Sequence, residues 1–420
     1  MKILLIGSGG REHAIAKKLA QSPQLTQLWI APGNPGTAQI GTNVAIPVTD
    51  LDGLVAFAVQ EKVDLVVVGP EDPLVAGLAD LFTAQNIPVV GPSKAAAQLE
   101  GSKKWTKALM AKYHIPTAAY QDFTSFEPAL DYIQTRNQFP IVIKADGLAA
   151  GKGVTIAQDL AEAQQALEGC FIHQNFGQAG ATVVIEDFLQ GEEASILAFC
   201  DGTTILPMLP AQDHKAIYDG DKGPNTGGMG AYCPAPIADP TIQQKVLDRV
   251  LKPLVAALNA EGTPFKGIVF AGLMIQRGEP SVVEFNARFG DPETQVVLAL
   301  LKTDLIDIFN AITTGTLDQI KLEWAHGYAV CVILAAGGYP GAYAKGDVIS
   351  GAADSEKFDM IHSGTTLKNG ALVTNGGRVL GVVAKNPDLA SAIHDAYLGV
   401  NKVQFSGKTF RTDIASKALA

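Results

Sequence analysis

The stretch VVEFNARFGDPETQ, residues 282–295, decides how the rest of the chain is read. An apolar run opens onto Glu284, Asn286 and Arg288, then turns through Gly290, Asp291 and Pro292. The preceding run GIVFAGLMIQ (267–276) has the make-up of a β-strand, and the turn RGEP leads into VVEFNARF as a second strand. Side chains alternate faces along a strand, so Glu284 and Asn286 share one face, about 7 Å apart at Cα, with Phe285 on the other. A carboxylate and an amide oxygen side by side suit a hard cation such as magnesium. Arg288 is expected on the same face. An arginine beside a cation suggests phosphate, whose oxygens its planar fork binds in pairs. A plain strand end closed by a Glu284–Arg288 ion pair fits equally well, and spacing alone leaves both readings open.

Working outward, the chain has 420 residues, room for roughly two to four domains and a large core. Its formal charge of −10 weighs against a broad nucleic-acid footprint. Cys170, Cys200, Cys233 and Cys331 lie far apart, with no metal-site or redox spacing, which suits a reducing compartment. The opening MKILLIGSGG is a short apolar run broken by glycine, unlike a signal peptide. No run approaches the ~20 apolar residues of a membrane span, so a cytoplasmic protein with no membrane partner is expected. The 43 glycines gather in non-periodic clusters, which suits ligand-binding loops.

Residues 1–100 alternate strand-like runs (KILLIG, LTQLWIAPG, VDLVVVGPE, NIPVVGP) with helical ones, predicting an open parallel α/β, Rossmann-like domain. Ligands of such sheets gather at the carboxyl ends of strands, here 7–10, 32–36, 69–72 and 91–93. Residues 101–321 read as a second, α+β domain, with a small subdomain at about 120–190 built around the glycine hairpin KADGLAAGKGV. The segment LPAQDHKAIYDGDKGPNTGGMGAY reads as a long functional loop without regular structure. QVVLALLKTDLIDIFNAITTG reads as one helix, and residues 322–420 as a separate strand-rich domain.

The glycine motifs exclude two familiar sites. GSGG supplies Gly7, Gly9 and Gly10, but the last position of a dinucleotide fingerprint is Glu12, and no acid follows the second strand. A glycine turn opening a helix still offers free amides to an anion, with Arg11, Glu12 and His13 beside it; a turn needing glycine only for its shape explains it too. DGLAAGKGV fails as a Walker loop, because Asp146 stands where its first glycine belongs and Gly153 follows Lys152. It remains a hairpin that can close over phosphates with Lys144 and Lys152 offsetting their charge, or an exposed hairpin with solvated lysines. His214 suits a hydrogen-bond donor better than a general base. No Ser-His-Asp arrangement or zinc pattern is present.

Taken together and in order, IGSGGREHA, GPEDPL, KADGLAAGKGV, QDHK, GPNTGGMGAY, RFGDPETQ and GGYPGAY closely resemble the phosphoribosylamine–glycine ligase family of the ATP-grasp superfamily, nearly end to end. The resemblance implies an ATP-grasp fold and the joining of glycine to 5-phosphoribosylamine with ATP, through glycyl phosphate, in purine synthesis. It implies magnesium, or manganese, on Glu284 and Asn286. It places Lys103 and Lys144 on the ATP phosphates, with the loop through Gly147, Gly151, Lys152 and Gly153 as their cover. Glu186, Asp187, Phe188 and Leu189 would line adenine, and Glu193 the ribose. Arg288, with Lys144 and Asp291, would serve the transfer. Asp213, His214, Lys215 and Asp291 would lie on the glycine or acceptor side. Gly9, Gly10, Arg11, Glu12 and Lys345 would help hold phosphoribosylamine. A monomer without nucleic-acid partners is the family expectation. One departure stands out: many ATP-grasp enzymes carry a further carboxylate on the strand before E-x-N, where this chain reads FAGLMIQ. Two rivals remain at this point, an ATP-grasp enzyme for another acid and amine, and a non-catalytic nucleotide-binding protein.

Overall fold

The computed structural model describes residues 1–148 and 153–419. Five strands open the chain: β1 (Lys2–Gly7), β2 (Gln27–Pro32), β3 (Thr42–Asn43), β4 (Leu65–Val68) and β5 (Val89–Val90). They form a wholly parallel sheet in the order β3-β2-β1-β4-β5. Ile3 to Ile6 and Leu65 to Val68 are buried, as continuous apolar runs covered on both faces should be. The glycine turn after β1 and the Gly69–Asp72 turn after β4 sit side by side at the sheet's carboxyl edge.

Two antiparallel sheets follow. β6 (Tyr120–Phe123), β7 (Ile141–Ala145), β8 (Val154–Ala157) and β9 (Val183–Asp187) pair in the order β6-β9-β7-β8. Helices Phe126–Arg136 and Leu160–Phe171 cover one face through Ile133, Leu167, Ile143 and Ile185. β10 (Glu192–Asp201), β11 (Ile205–Pro207), β16 (Lys266–Gln276) and β17 (Glu279–Asn286) form the larger sheet, in the order β11-β10-β16-β17.

Three expectations change here. First, VVEFNARF is not all strand: β17 ends at Asn286, and Arg288 lies beyond it. Second, the apolar run after Glu293 is two helices, Glu293–Leu300 and Leu305–Thr314. Asp304 divides them by accepting the Ile306 N–H at 2.9 Å, an N-cap inside a run whose hydrophobic pattern does not pause. Third, the long loop holds four short strands: β12 (Gln212–Asp213), β13 (Ala216–Tyr218), β14 (Lys222–Asn225) and β15 (Gly230–Cys233).

β12 and β15 begin a further sheet with β18 (Tyr328–Ala335), β19 (Asp359–His362) and β22 (Arg378–Asn386), in the order β12-β15-β18-β22-β19. Helix Leu389–Lys402 packs on it, and β20 (Thr365–Lys368) and β21 (Ala371–Thr374) form a separate hairpin. One core joins the units: Ile3 and Ile15 belong to the same buried cluster as Phe199, Phe270, Val296 and Phe309, and as Cys331 and Ile361. No helix among the described residues is long and apolar enough to cross a membrane.

Candidate active site

Glu284 and Asn286 owe their direction to a bulge. β16 pairs Leu273 with Val282 and Gly272 with Glu284, leaving Val283 as the extra residue. The bulge resets the alternation, so Phe285 is buried while Glu284 and Asn286 stay half-buried on the open face. It also frees the Val283 carbonyl, which accepts from Lys144 Nζ at 3.0 Å. Gly272 stands opposite Glu284, where a Cβ would come 3.2 Å from Glu284 Cγ, so the neighbouring strand offers no second carboxylate.

The Glu284–Arg288 pair does not form. Arg288 instead binds Glu100 through Nη2 at 2.8 Å and Glu71 through Nε at 3.1 Å, and donates from Nη1 to Phe289 O at 3.2 Å. Glu284 and Asn286 have no side-chain partner among the described residues. Nor does any trio of His, Cys, Asp or Glu gather there as a metal cluster. Two hard oxygen donors without protein partners fit an ion that completes its octahedron with ligand and water oxygens.

The lysines line the seam between the two antiparallel sheets. Lys144 on β7 and Lys107 on helix Lys103–Lys112 flank Glu186, at 3.0 Å from Oε1 and 2.9 Å from Oε2. Burial brings Lys107 down to about 8, with Glu186 working against the fall. Lys103, one turn earlier on that helix, donates to Gly147 O at 3.2 Å. Burial lowers it too, and the Glu284 charge opposes that. Ser102 caps the helix by accepting the Trp105 N–H at 3.1 Å, while Asp146 accepts the Lys104 N–H at 2.6 Å, tying helix to hairpin. Gly147 packs on Ala179, and a Cβ there would meet its methyl at 2.8 Å. Gly153 accepts the Ala145 N–H at 2.8 Å through its carbonyl. Gly151 and Lys152 lie outside the described residues. Along residues 186–189, Asp187 pairs with Arg136 at 2.6 Å, and Phe188 is exposed.

Lys215 joins Glu193 at 2.8 Å and Asp213 at 2.9 Å. Burial opposes its charge, but Asp213 and Glu193 hold it well above the ordinary lysine range. Burial pushes Glu293 upward, with Asp213 adding to it. His214 is buried, with Nε2 accepting the Ala415 N–H at 3.4 Å; the proton is therefore on Nδ1, which has no partner among the described residues. Burial, then Arg411, lowers His214 to about 4.

At the parallel sheet's edge, Glu12 turns inward. Its Oε2 accepts the Gly9 N–H at 2.6 Å and its Oε1 the Arg11 Nε–H at 2.6 Å. Gly7 and Gly69 are packed against it, and a Cβ at Gly7 would fall 2.5 Å from Glu12 Cγ. Arg11 Nη1 donates to Phe289 O at 3.1 Å. Burial would raise Glu71, but Arg288 and Arg11 bring it down to about 2. For Glu100 the balance reverses: burial lifts it to about 7 despite Arg288. Gly10 packs against Ser363 and Gln295. Asp291 accepts from Gln295 Nε2 at 2.6 Å and Arg378 Nη2 at 2.9 Å. Lys345 is exposed.

Sequence reasoning missed Glu100, Lys107 and Arg378, and gave no role to Glu71 and Gln295 although both lie in motifs it singled out. Lys107 carried a signal, four residues after Lys103 on one helix face. Arg378 carried none in its own neighbourhood.

Three family models match the chain in order: the N domain of phosphoribosylglycinamide synthetase at residues 1–100, its ATP-grasp (A) domain at 101–294 and its C domain at 329–417. This chain belongs to the phosphoribosylamine–glycine ligases. The ligase of Agrobacterium fabrum is 51% identical over 421 residues, covering 100% of this chain and 99% of its own. That of Allochromatium vinosum is 52% identical over 425 residues, with the same coverage. The crystal structure of the Thermotoga maritima ligase superposes with a TM-score of 0.86 at 34% identity, covering 99% of this chain and all of that one. A biotin carboxylase domain from Hydrogenobacter thermophilus shares the fold alone, with a TM-score of 0.74 at 15% identity and 97% and 91% coverage. The ligase family thus accounts for all three units, and the ATP-grasp expectation for the fold holds.

Proposed function

We propose that this ligase joins glycine to 5-phosphoribosylamine with ATP, giving glycinamide ribonucleotide, ADP and phosphate in purine synthesis, and that Glu284 and Asn286 carry its magnesium or manganese. The observation that supports the metal reading best is the pair of oxygen donors on β17 that have no side-chain partner among the described residues, with Glu284 within electrostatic reach of Lys103, Lys215 and Arg288. A bound divalent ion would draw charge off the ATP phosphates there.

In this reading a glycine carboxylate oxygen attacks the γ-phosphorus and ADP leaves. The amine of phosphoribosylamine then attacks the glycyl carbonyl and phosphate leaves. Both steps ask for alignment and charge stabilisation rather than a protein nucleophile. Lys144 and Lys103 face the phosphates, under the hairpin that includes Gly147, Gly151, Lys152 and Gly153. Arg288 spends three of its five N–H groups on protein, leaving two for the transferring phosphoryl group. Glu186 to Leu189 borders adenine, and the buried Lys107–Glu186–Lys144 row keeps β9 in place. Glu193 reaches the ribose with the oxygen that Lys215 leaves free. Asp213, His214, Lys215 and Asp291 serve glycine and acceptor, and Gly9, Gly10 and Arg11 with Lys345 the phosphoribosylamine. Glu12 acts on that loop from within, since both its oxygens are engaged.

Purified protein with magnesium should release ADP only when glycine and phosphoribosylamine are both supplied. Turnover with another acid and none with glycine would refute the substrate assignment.

A further inference from the structure

Arg378, the first residue of β22, reaches from the C-terminal sheet into the site. Its Nη1 donates to Asp291 O at 2.7 Å and Gly227 O at 2.6 Å, and its Nη2 to Asp291 Oδ2 at 2.9 Å. On the other side of the same glycine, the Gly227 N–H donates to the Tyr339 hydroxyl at 3.0 Å. The approach requires small residues: a Cβ on Gly227 would lie 3.0 Å from the guanidinium carbon, and one on Gly228, at φ +111°, 2.5 Å from Pro292 Cδ. The clamp extends further. Thr226 N–H and Oγ1 both donate to Lys215 O at 2.8 Å, and Lys215 pairs with Glu193. One guanidinium thereby fixes the Asp291 carboxylate and the loop that leads to Lys215.

We propose that Arg378, helped by Tyr339, is a positioning residue for the amine-transfer step, holding Asp291 and residues 226–228 where the acceptor amine is received. The proposal rests on the function given above. In that step the amine nitrogen bonds to the carbonyl carbon of glycyl phosphate. The carbon–oxygen bond to phosphate breaks, its electron pair leaves on phosphate, and the proton the amine gives up goes to that departing phosphate. With the clamp loosened, water attacks the same carbon, so ADP and phosphate accumulate while glycine is regenerated. A staple that merely held two units together would instead lower stability and disturb every substrate alike.

Steady-state kinetics on the full chain separates these outcomes. Wild-type dependence on both substrates tests the function by itself, before any variant is compared. Arg378→Gln should raise KM for phosphoribosylamine roughly tenfold or more, leave KM for ATP within about twofold, and push the ratio of ADP to product above unity. Arg378→Lys should recover part of the loss. Adding Arg378→Gln to Asp291→Asn should cost little beyond Asp291→Asn alone, because the two act as one unit. Equal rises in KM for ATP and phosphoribosylamine, an unchanged ADP ratio, or multiplicative effects in the double variant would overturn the proposal. If Arg378→Gln does not fold, Tyr339→Phe decides: a smaller selective rise supports the clamp, and parallel or absent changes overturn it.

Discussion

Glu284 sits half-buried on β17 with no cationic side chain bonded to it among the described residues, although Lys103, Lys215 and Arg288 all feel its charge. Glu284→Ala should lower turnover roughly a hundredfold or more even at saturating magnesium. Near-normal turnover would remove the metal role. The shared face of Glu284 and Asn286 was legible in the sequence because the bulge falls before both and leaves their two-residue spacing intact. Arg288 was half legible. Its charge pointed to phosphate, but its partners Glu71 and Glu100 both belong to the first unit, and Glu284, nearer in sequence, was the expected ion-pair partner.

At the scale of elements, strands with an apolar run of their own were legible, and strands that depend on a distant ladder were not. β1, β4 and β16 carry buried apolar runs that speak for themselves. β12 and β15 have two and four residues, and each is a strand only because a distant partner completes its ladder. The break between helices Glu293–Leu300 and Leu305–Thr314 was hidden for another reason: Asp304 interrupts a hydrophobic run that continues on both sides. Asp304 accepts the Ile306 N–H and, through Oδ2, the Ser22 hydroxyl at 2.6 Å, so it caps a helix and anchors the N-terminal unit. Asp304→Ala should cost about 1 kcal/mol or more in urea denaturation, mostly as a lower midpoint. An unchanged midpoint would show the cap to be dispensable.

Across the whole molecule, buried histidines join the first unit to the last. His13 Nδ1 accepts the His362 N–H at 2.8 Å, and Asn34 Nδ2 donates to His362 O at 3.0 Å. Burial, then the neighbouring His362, brings His13 down to about 3, and burial brings His362 down to about 4. Both are neutral in the folded protein at pH 7. As pH falls below about 6.5 the unfolded chain takes up protons that the folded one refuses, so stability declines from there toward pH 4. Denaturation midpoints should drop between pH 7 and pH 5, and His13→Gln should flatten the decline; the same slope in wild type and variant would assign it to other groups. None of this was legible in REHA, where His13 looks like one more polar residue at a glycine turn.

The origin of β15 bears on how the polypeptide can be cut. Its ladder partner β18 lies almost a hundred positions downstream, so the point near residue 321 where composition shifts is not a seam in the folded object. A fragment ending there would leave an unsatisfied strand edge and a bared apolar wall, inviting aggregation. Co-expressed with its missing remainder, the same fragment should regain solubility, behaving as one half of a complementing pair rather than as an autonomous catalytic module.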